Sequence, residues 1–409
     1  MAKTDLIVGL DIGTTKICTV VGEVSPDGVD IVGIGASPST GLRKGVVVNI
    51  EQTVQSIKKA LEEAELMAGC EIRSVYAGIA GSHIKGFNSH GVIAIKGGEV
   101  TKKDQERVID AARAMHIPPD RDVIHTLPQE YIVDDQRGIA DPLGMAGVRL
   151  EVKVHIVTGA VTSAQNIIRS CHRSGLDVAD IVLESLASSK AVLSEEEREI
   201  GVALVDIGGG TTDLAIFGNN SIKHTAVIGL GGNNLTNDIA YGLRTPSVAA
   251  EEIKIRYGCA LTDLIQSEEI VEVPSVGGRE NRRLSRRVLA EICEPRCEEI
   301  LALVDQELVR SGFKNTIAAG VVLTGGSTQI QGMEELAEQI FDLPVRIGLP
   351  QGIGGLKDVV NSPKFATAVG LLIYGAEVEG GGEQRFRIRD DNMFSRILGR
   401  MRNWFKDVT

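Results

Sequence analysis

Aromatic residues make up only 3% of the 409 residues, with a single tryptophan. The core must therefore be built from Ala, Val, Ile and Leu, as in many sheets covered by helices. No stretch approaches about 20 uninterrupted apolar residues, so no helix is long enough to span a bilayer and any membrane contact is expected to be peripheral. The chain passes from Met-Ala-Lys-Thr-Asp straight into the apolar run 6–10, which leaves no room for a secretory signal. The six cysteines are scattered, with no C-x-x-C pair, and reduced thiols are the default. Cys293 and Cys297 are four apart and could share a helix face, yet two ligands alone make a poor metal site. Positive charge is in deficit: the net charge of -12 disfavours a nucleic-acid partner, although local basic patches remain open. A G-x-x-x-x-G-K-[ST] loop is absent, as is a complete dinucleotide fingerprint, which disfavours the P-loop class.

What is present suits a soluble α/β protein of two lobes or more, at about 150 residues per domain. Hydrophobic residues reach 43% and charged residues 24%. Val- and Ile-rich runs at 6–12, 17–23 and 30–37 predict strands. Val54, Ile57, Leu61 and Ala64 predict a helix over 51–67, and 75–80 reads as a buried strand. From about 84 to 156, short strands at 91–95, 123–127 and 148–156 surround one helix at 102–115, predicting a small inserted α+β module. Helices follow at 163–174 and 183–193, then an apolar strand at 201–207.

The sequence also echoes itself. Leu10-Asp11-Ile12-Gly13-Thr14-Thr15-Lys16 resembles Val205-Asp206-Ile207-Gly208-Gly209-Gly210-Thr211-Thr212-Asp213, each copy preceded and followed by a strand. Asp11 and Asp206 put carboxylates at strand ends, where a hydrated Mg²⁺ suits two aspartates acting through water. Gly13, Gly208, Gly209 and Gly210 let the backbone come close, while Thr14, Thr15, Lys16, Thr211 and Thr212 offer donors to phosphate oxygens. Either copy alone would pass for an ordinary hairpin. Both together, with a third glycine pair in Leu323-Thr324-Gly325-Gly326-Ser327, point to a nucleoside triphosphate. Gly325 and Gly326 would let ribose and adenine lie on the backbone; a helix N-cap turn using Ser327 is the other reading, with a helix expected from Gly332.

These motifs, with Leu-Pro-Gln-Glu-Tyr (127–131), Ala-Glu-Glu-Ile-Lys (250–254), Glu-Val-Pro-Ser-Val-Gly-Gly-Arg (272–279), Glu-Pro-Arg (294–296) and Leu-Thr-Gly-Gly (323–326), resemble the actin, sugar kinase and DnaK-type chaperone superfamily and, within it, the FtsA cell-division family over nearly the whole length. The resemblance implies an actin-like two-lobed ATPase fold with an inserted α+β subdomain and a C-terminal amphipathic helix. Residues 1–83, 160–199 and 364–376 would form one core subdomain, with 84–159 inserted. Residues 200–235 and 312–363 would form the other, with 236–311 its helical elaboration. ATP and Mg²⁺ would lie in the cleft, with Glu251 and Lys254 similar to positions that contact ribose and adenine in the filament protein MreB; otherwise they belong to an ordinary solvated helix face. No residue that orients water is identifiable, Gln129 and Glu130 lie in the module and are not candidates, and turnover is expected to be slow or absent.

The resemblance also implies binding of the C-terminal peptide of the tubulin-like FtsZ by 236–311, self-association into actin-like filaments, recruitment of later division proteins through 84–159, and a place on the cytoplasmic face of the cell membrane at the division site. Arg279, Arg282, Arg283, Arg286, Arg287 and Arg296 make a basic cluster in an acidic chain, suited to an acidic peptide. Arg286, Arg296 and Glu299 are the specific candidates, a solvated loop and helix being the plainer reading for most of the cluster. Residues 377–392 read as a largely flexible linker reaching about 20–24 Å, though the alternation of Arg385, Arg387 and Arg389 with Phe386 and Ile388 could form a short strand. On a helix over 393–409, Met393, Phe394, Ile397, Leu398, Met401, Trp404 and Phe405 share an arc of roughly 140°. Arg400 and Lys406 lie among the basic residues outside it, a pattern for an anionic membrane surface; docking on the protein's own core is the other possibility. Two further functions compete: a small-molecule kinase, for which no aspartate base stands out, and a pilus-assembly adaptor, which would not require the anchor.

Overall fold

The computed structural model describes residues 6–25, 28–266, 269–277 and 279–380. Two sheets share one wiring. In the first, strand Leu6–Ile12 pairs antiparallel with Lys16–Ser25, which pairs antiparallel with Gly28–Pro38; on its other side it pairs parallel with Ser74–Ile79, followed by Asp177–Leu183. In the second, Val202–Ile207 pairs antiparallel with Thr212–Gly218 and that with Ser221–Ile228, while Val321–Thr324 and Val345–Ile347 follow in parallel. The echo in sequence is thus a duplication of topology. The central strands of both sheets are buried along almost their whole length, which is why they read as continuous apolar runs.

Local chemistry fixes the flanking elements. Helix Ile50–Ala68 starts where Gln52 N donates to the Asn49 side chain (3.1 Å) and ends at Gly69 with φ 67°. It buries Val54, Ile57, Leu61 and Ala64, the stripe expected from the sequence. The inserted module is a four-stranded sheet in the order Lys85–Ala94, Arg149–Ala160, Arg121–Val133, Gln136–Ile139. Helix Lys102–Arg113, capped by Thr101 and Asp104, covers it, and Val108, Ile109, Tyr131, Val152 and Val154 form a core of its own.

Four strands and the end of the last helix depart from expectation. Strand Asp177–Leu183 was not anticipated between its two neighbouring helices, because Asp177 and Asp180 interrupt the apolar run before the buried Ile181, Val182 and Leu183. The hairpin Ile270–Val273 with Arg282–Ser285 was hidden by its charged residues in the same way. Strand Ile353–Gly355, inside the segment assigned to the second lobe, instead extends the first sheet beside Gly28–Pro38. The last helix, Ala366–Gly380, runs four residues into the segment expected as linker; the rest of that linker and the amphipathic tail lie outside the described residues. Among the described residues no helix is long and apolar enough to cross a membrane.

That last helix locks the first lobe. A Cβ on Gly9 would lie 2.5 Å from the Ala368 carbonyl oxygen, and one on Gly370 would lie 1.9 Å from that of Ala187. Backbone approach this close leaves no room for a methyl group. Gly370→Ala is expected to destabilise the protein by about 1–3 kcal/mol, read as a lower midpoint in chemical denaturation.

Candidate functional site

The two echoing hairpins face each other across a cavity of about 470 Å³. In the first hairpin Asp11 pairs with Cys18 and Ile12 with Ile17; in the second Asp206 pairs with Asp213 and Ile207 with Thr212. Asp11 and Asp206 therefore hold equivalent positions, one residue before the end of the strand. Thr212 is equivalent to Ile17: it belongs to the strand, is fully buried, and its hydroxyl donates to the Leu230 carbonyl (3.0 Å). It is a packing residue. Every other nucleotide candidate, from Asp11 through Ser327, lines the cavity.

The glycines of the second hairpin act through space. A Cβ on Gly209 would stand 2.3 Å from Thr15 Cγ2 and one on Gly210 2.5 Å from Thr14 Oγ1. The opposing threonines occupy the volume that side chains would need, whereas the backbone there avoids positive φ. Thr14 Oγ1 in turn accepts from Gly45 N (2.9 Å). Gly325 is constrained twice, by φ 91° and by Asp206 Oδ1, which would lie 2.4 Å from a Cβ. Ser327 caps no helix; its hydroxyl donates to the Gly208 carbonyl (3.0 Å), tying the third element to the second hairpin, and the helix begins at Met333.

Glu251 and Lys254 share helix Ser247–Tyr257. Lys254 is only 8% exposed, so the solvated-face reading fails for it. Its ammonium donates to Glu251 Oε2 (2.7 Å), Thr236 Oγ1 (2.9 Å) and the Gly232 carbonyl (3.2 Å). Glu251, half-open, turns one edge to the cavity.

Four carboxyls, Asp11, Asp206 and Glu184 lining the cavity and Asp213 paired across the hairpin from Asp206, lie close together, and burial raises the pKa of each. Asp11 is raised by burial, which the Lys16 ammonium 4.0 Å away opposes. Asp206 rises to about 6 through burial and then the neighbouring Asp11, with the Thr367 hydroxyl (3.2 Å) opposing. Asp213 rises to about 7 through burial and then Asp206, although Thr211 donates to its Oδ2 (2.9 Å). Its other oxygen is buried without a hydrogen-bond partner among the described residues. Glu184, first residue of helix Glu184–Val192, is pushed well above the ordinary range by burial, then by Asp11, Asp213 and Asp206. Such a group of like charges is stable at neutral pH only if protons or a cation are added. Among the described residues no three such side chains converge to hold a metal directly.

Glu184, Lys364 and Thr367 line the cavity and were not anticipated. Glu184 and Thr367 sit in helical sequence with no motif, and Lys364 in a Ser-Pro-Lys-Phe loop that also accepts Lys16 at its carbonyl. For Asp213, which does not line the cavity, a signal existed: strand pairing across a hairpin sets it opposite Asp206.

The partner candidates lie on helix Arg286–Ser311. Arg286 donates to Glu269 (2.7 Å), the Tyr257 carbonyl (2.8 Å) and Gln331 (2.6 Å). Arg296 forks onto Asp238 (2.6 and 3.3 Å) and also binds Glu299. Arg279, Arg283 and Arg287 are the exposed members of the cluster. The membrane candidates Phe394, Ile397, Leu398, Arg400, Met401, Trp404, Phe405 and Lys406 lie outside the described residues.

Duplicated sheets with a cavity between their hairpins define an actin-like two-lobed protein. Solved structures agree: a chain of the PilM–PilN type IV pilus biogenesis complex superposes with a TM-score of 0.64 at 20% identity, covering 91% of this chain and 98% of that one. MreB5 of Spiroplasma citri bound to ADP does so at 0.53 and 15%, covering 93% and 99%. The sequence narrows the class. A family model described as cell division protein FtsA matches residues 203–370, and one described as the SHS2 domain inserted in FtsA matches 81–158. The cell division protein FtsA of Pseudomonas aeruginosa is 54% identical over 98% of this chain and 97% of its own length, and that of Escherichia coli K12 is 45% identical over the same shares. The chain belongs to the FtsA family of cell-division proteins.

The raised Asp213 pKa has a sign that can be tested. Because the folded state holds this proton up to about pH 7 and the unfolded state releases it near 3.8, its contribution to stability is complete below about pH 4 and lost as pH rises through 7. Asp213→Asn is expected to gain about 1 kcal/mol or more at pH 8 over the parent and to flatten this part of the pH dependence, measured by urea denaturation between pH 5 and 8.

Proposed function

We propose that this protein binds ATP with Mg²⁺ between its lobes, uses the nucleotide chiefly as a conformational ligand, and tethers FtsZ filaments to the cytoplasmic face of the cell membrane at the division site. The observation that carries the nucleotide reading is the placing of Asp11 and Asp206 at equivalent strand ends of opposed hairpins, both turned to one cavity of a size suited to a small ligand. Backbone amides of the glycine turns, with Thr14, Thr15, Lys16 and Thr211, would meet phosphates; Glu251, Lys254, Gly325, Gly326 and Ser327 would meet ribose and base. The neighbouring MreB5 structures with ADP and AMPPNP support nucleotide in this fold.

The residues fit a hydrated Mg²⁺: Asp11, Asp206 and Glu184 are buried carboxyls crowded at one cavity, the chemistry a divalent cation relieves. Asp11 and Asp206 would hold it through water, and the ion would neutralise charge on the phosphates. Lys16 is already placed to share that task, and Glu184, whose pKa burial and the neighbouring aspartates raise, lines the same cavity. Any turnover is slow.

FtsZ's C-terminal peptide is assigned to residues 236–311. An acidic peptide would meet Arg283 and Arg287 first and would compete with Glu269, Asp238 and Glu299 for Arg286 and Arg296. Self-association, recruitment of later division proteins by 84–159, and anchoring by 393–409 to anionic lipid complete the reading. High identity to division proteins over the full length favours it above a pilus adaptor, whose likeness is in fold alone. A small-molecule kinase would need a substrate pocket with an aspartate base, for which the sequence carries no distinct signature.

Calorimetry with ATP and millimolar Mg²⁺ should give saturable binding, and Asp11→Ala or Asp206→Ala should weaken it about tenfold or more; no heat from the parent protein overturns the nucleotide assignment. In co-sedimentation with anionic liposomes, the full chain should pellet and a chain lacking 393–409, or carrying Trp404→Glu with Phe405→Glu, should stay in solution.

A further inference from the structure

The inserted module is fastened to the first lobe at both ends. It leaves after strand Ser74–Ile79, and its strand Arg149–Ala160 runs directly into helix Val161–Arg173. Within it, Leu183 N of the first sheet donates to His125 Nε2 (3.0 Å). The module must therefore move with the first lobe. Yet it is also seated on the second, against the edge strand Ser221–Ile228.

The seat is built on a bulge. Ile216 pairs with His224 and Phe217 with Ile222, so Lys223 is left over in the ladder. The module supplies the missing partners: Asn88 Nδ2 donates to the Lys223 carbonyl (3.1 Å), and Gln129 Nε2 donates to the Ile222 carbonyl (2.8 Å) and to Asn88 Oδ1 (3.2 Å). Since the Asn88 amide nitrogen is turned to Lys223, its oxygen faces His155 Nδ1 (2.7 Å), which must carry the proton. His155 Nε2 is then the acceptor for the Thr225 hydroxyl (2.8 Å). His155 is fully buried, and burial and then nearby His224, itself held by Glu307 (2.7 Å), push its pKa down to about 4, so it stays neutral. A Cβ on Gly86 would lie 2.2 Å from Thr225 Oγ1 and 2.7 Å from His155 Nε2. A chain of satisfied groups with no slack makes a rigid contact that cannot slide without breaking.

In this one arrangement the seat is made and the two hairpins also touch, Thr14 and Thr15 against Gly210 and Gly209. Separating the hairpins to pass a ligand rotates one lobe against the other, and a module fixed to the first lobe must then shear from the bulge of the second. We propose that Asn88, Gln129 and His155 form a latch between the inserted module and the second lobe, which holds the cleft closed on bound nucleotide and couples nucleotide occupancy to the seating of the module. The coupling is reciprocal: a partner that draws the module off the bulge loosens the nucleotide, and a bound nucleotide steadies the module. This rests on the nucleotide reading above.

The test follows release of a fluorescent ATP analogue, chased with excess ATP, from the full chain and from three variants, together with hydrogen exchange of the backbone amides in Lys85–Ala94. Gln129→Ala removes the amide, Thr225→Val removes the hydroxyl from the second lobe, and Gly86→Ala wedges the seat apart with every hydrogen-bonding group retained. Each is expected to speed release about 2–10-fold. Nucleotide should slow exchange in Lys85–Ala94 of the parent protein, and this protection should vanish in the variants. Release at the parent rate from all three, or exchange in the module indifferent to nucleotide, overturns the latch while leaving nucleotide binding intact. Failure of the parent protein to take up the analogue overturns both.

Discussion

Two aspartates buried at the ends of equivalent strands set the terms for the rest of this molecule. A carboxyl inside protein is tolerated as an anion only where opposite charge or donors compensate it. Asp11 and Asp206 face each other with Asp213 and Glu184 behind them, and Lys16 is the nearby counter-charge. Such crowding costs stability and is held in place because Asp11 and Asp206 are carried by the central strands of two separate, well-packed sheets. The duplicated sheets keep the charges apart by their own rigidity and leave a cavity between them for something that supplies what the carboxyls lack.

The second consequence is geometric. Opposed hairpins with side chains on both would collide, and the second copy is stripped to glycine where the first keeps threonine. The difference between Gly-Thr-Thr-Lys and Gly-Gly-Gly-Thr is therefore complementary: one hairpin brings the hydroxyls and the other makes room for them. The same economy of space recurs where the last helix meets the first sheet, so that the lobe's closing element and its cavity wall form one packed unit.

The inserted module adds a second bridge between the lobes. Edge strands expose unpaired backbone groups, and here a bulge concentrates them at Lys223, where amide side chains of the module take them up. Gln129, which motif reading had already set aside as a catalyst, finds its use there. The arginine cluster likewise divides: Arg286 and Arg296 are committed to carboxylates of the same lobe, which positions helix Arg286–Ser311, while Arg279, Arg283 and Arg287 are exposed, Arg287 beside Glu291 (3.5 Å).

Much was already determined by the sequence alone. Apolar periodicity defined the long helix Ile50–Ala68 and the central strands, and the repeated Asp-Ile-Gly motif defined a duplicated fold and the two hairpin walls of the cavity, because turn chemistry and strand ends are local properties of the chain. Strands bearing charge, such as Asp177–Leu183, were hidden because their half-buried faces break the pattern. Tertiary structure alone decided that Thr212 points into the core, that Glu184, Lys364 and Thr367 reach the cavity, and that Lys254 is buried. Register across a hairpin and the meeting of residues hundreds of positions apart depend on how whole layers stack, and no window of sequence contains that information.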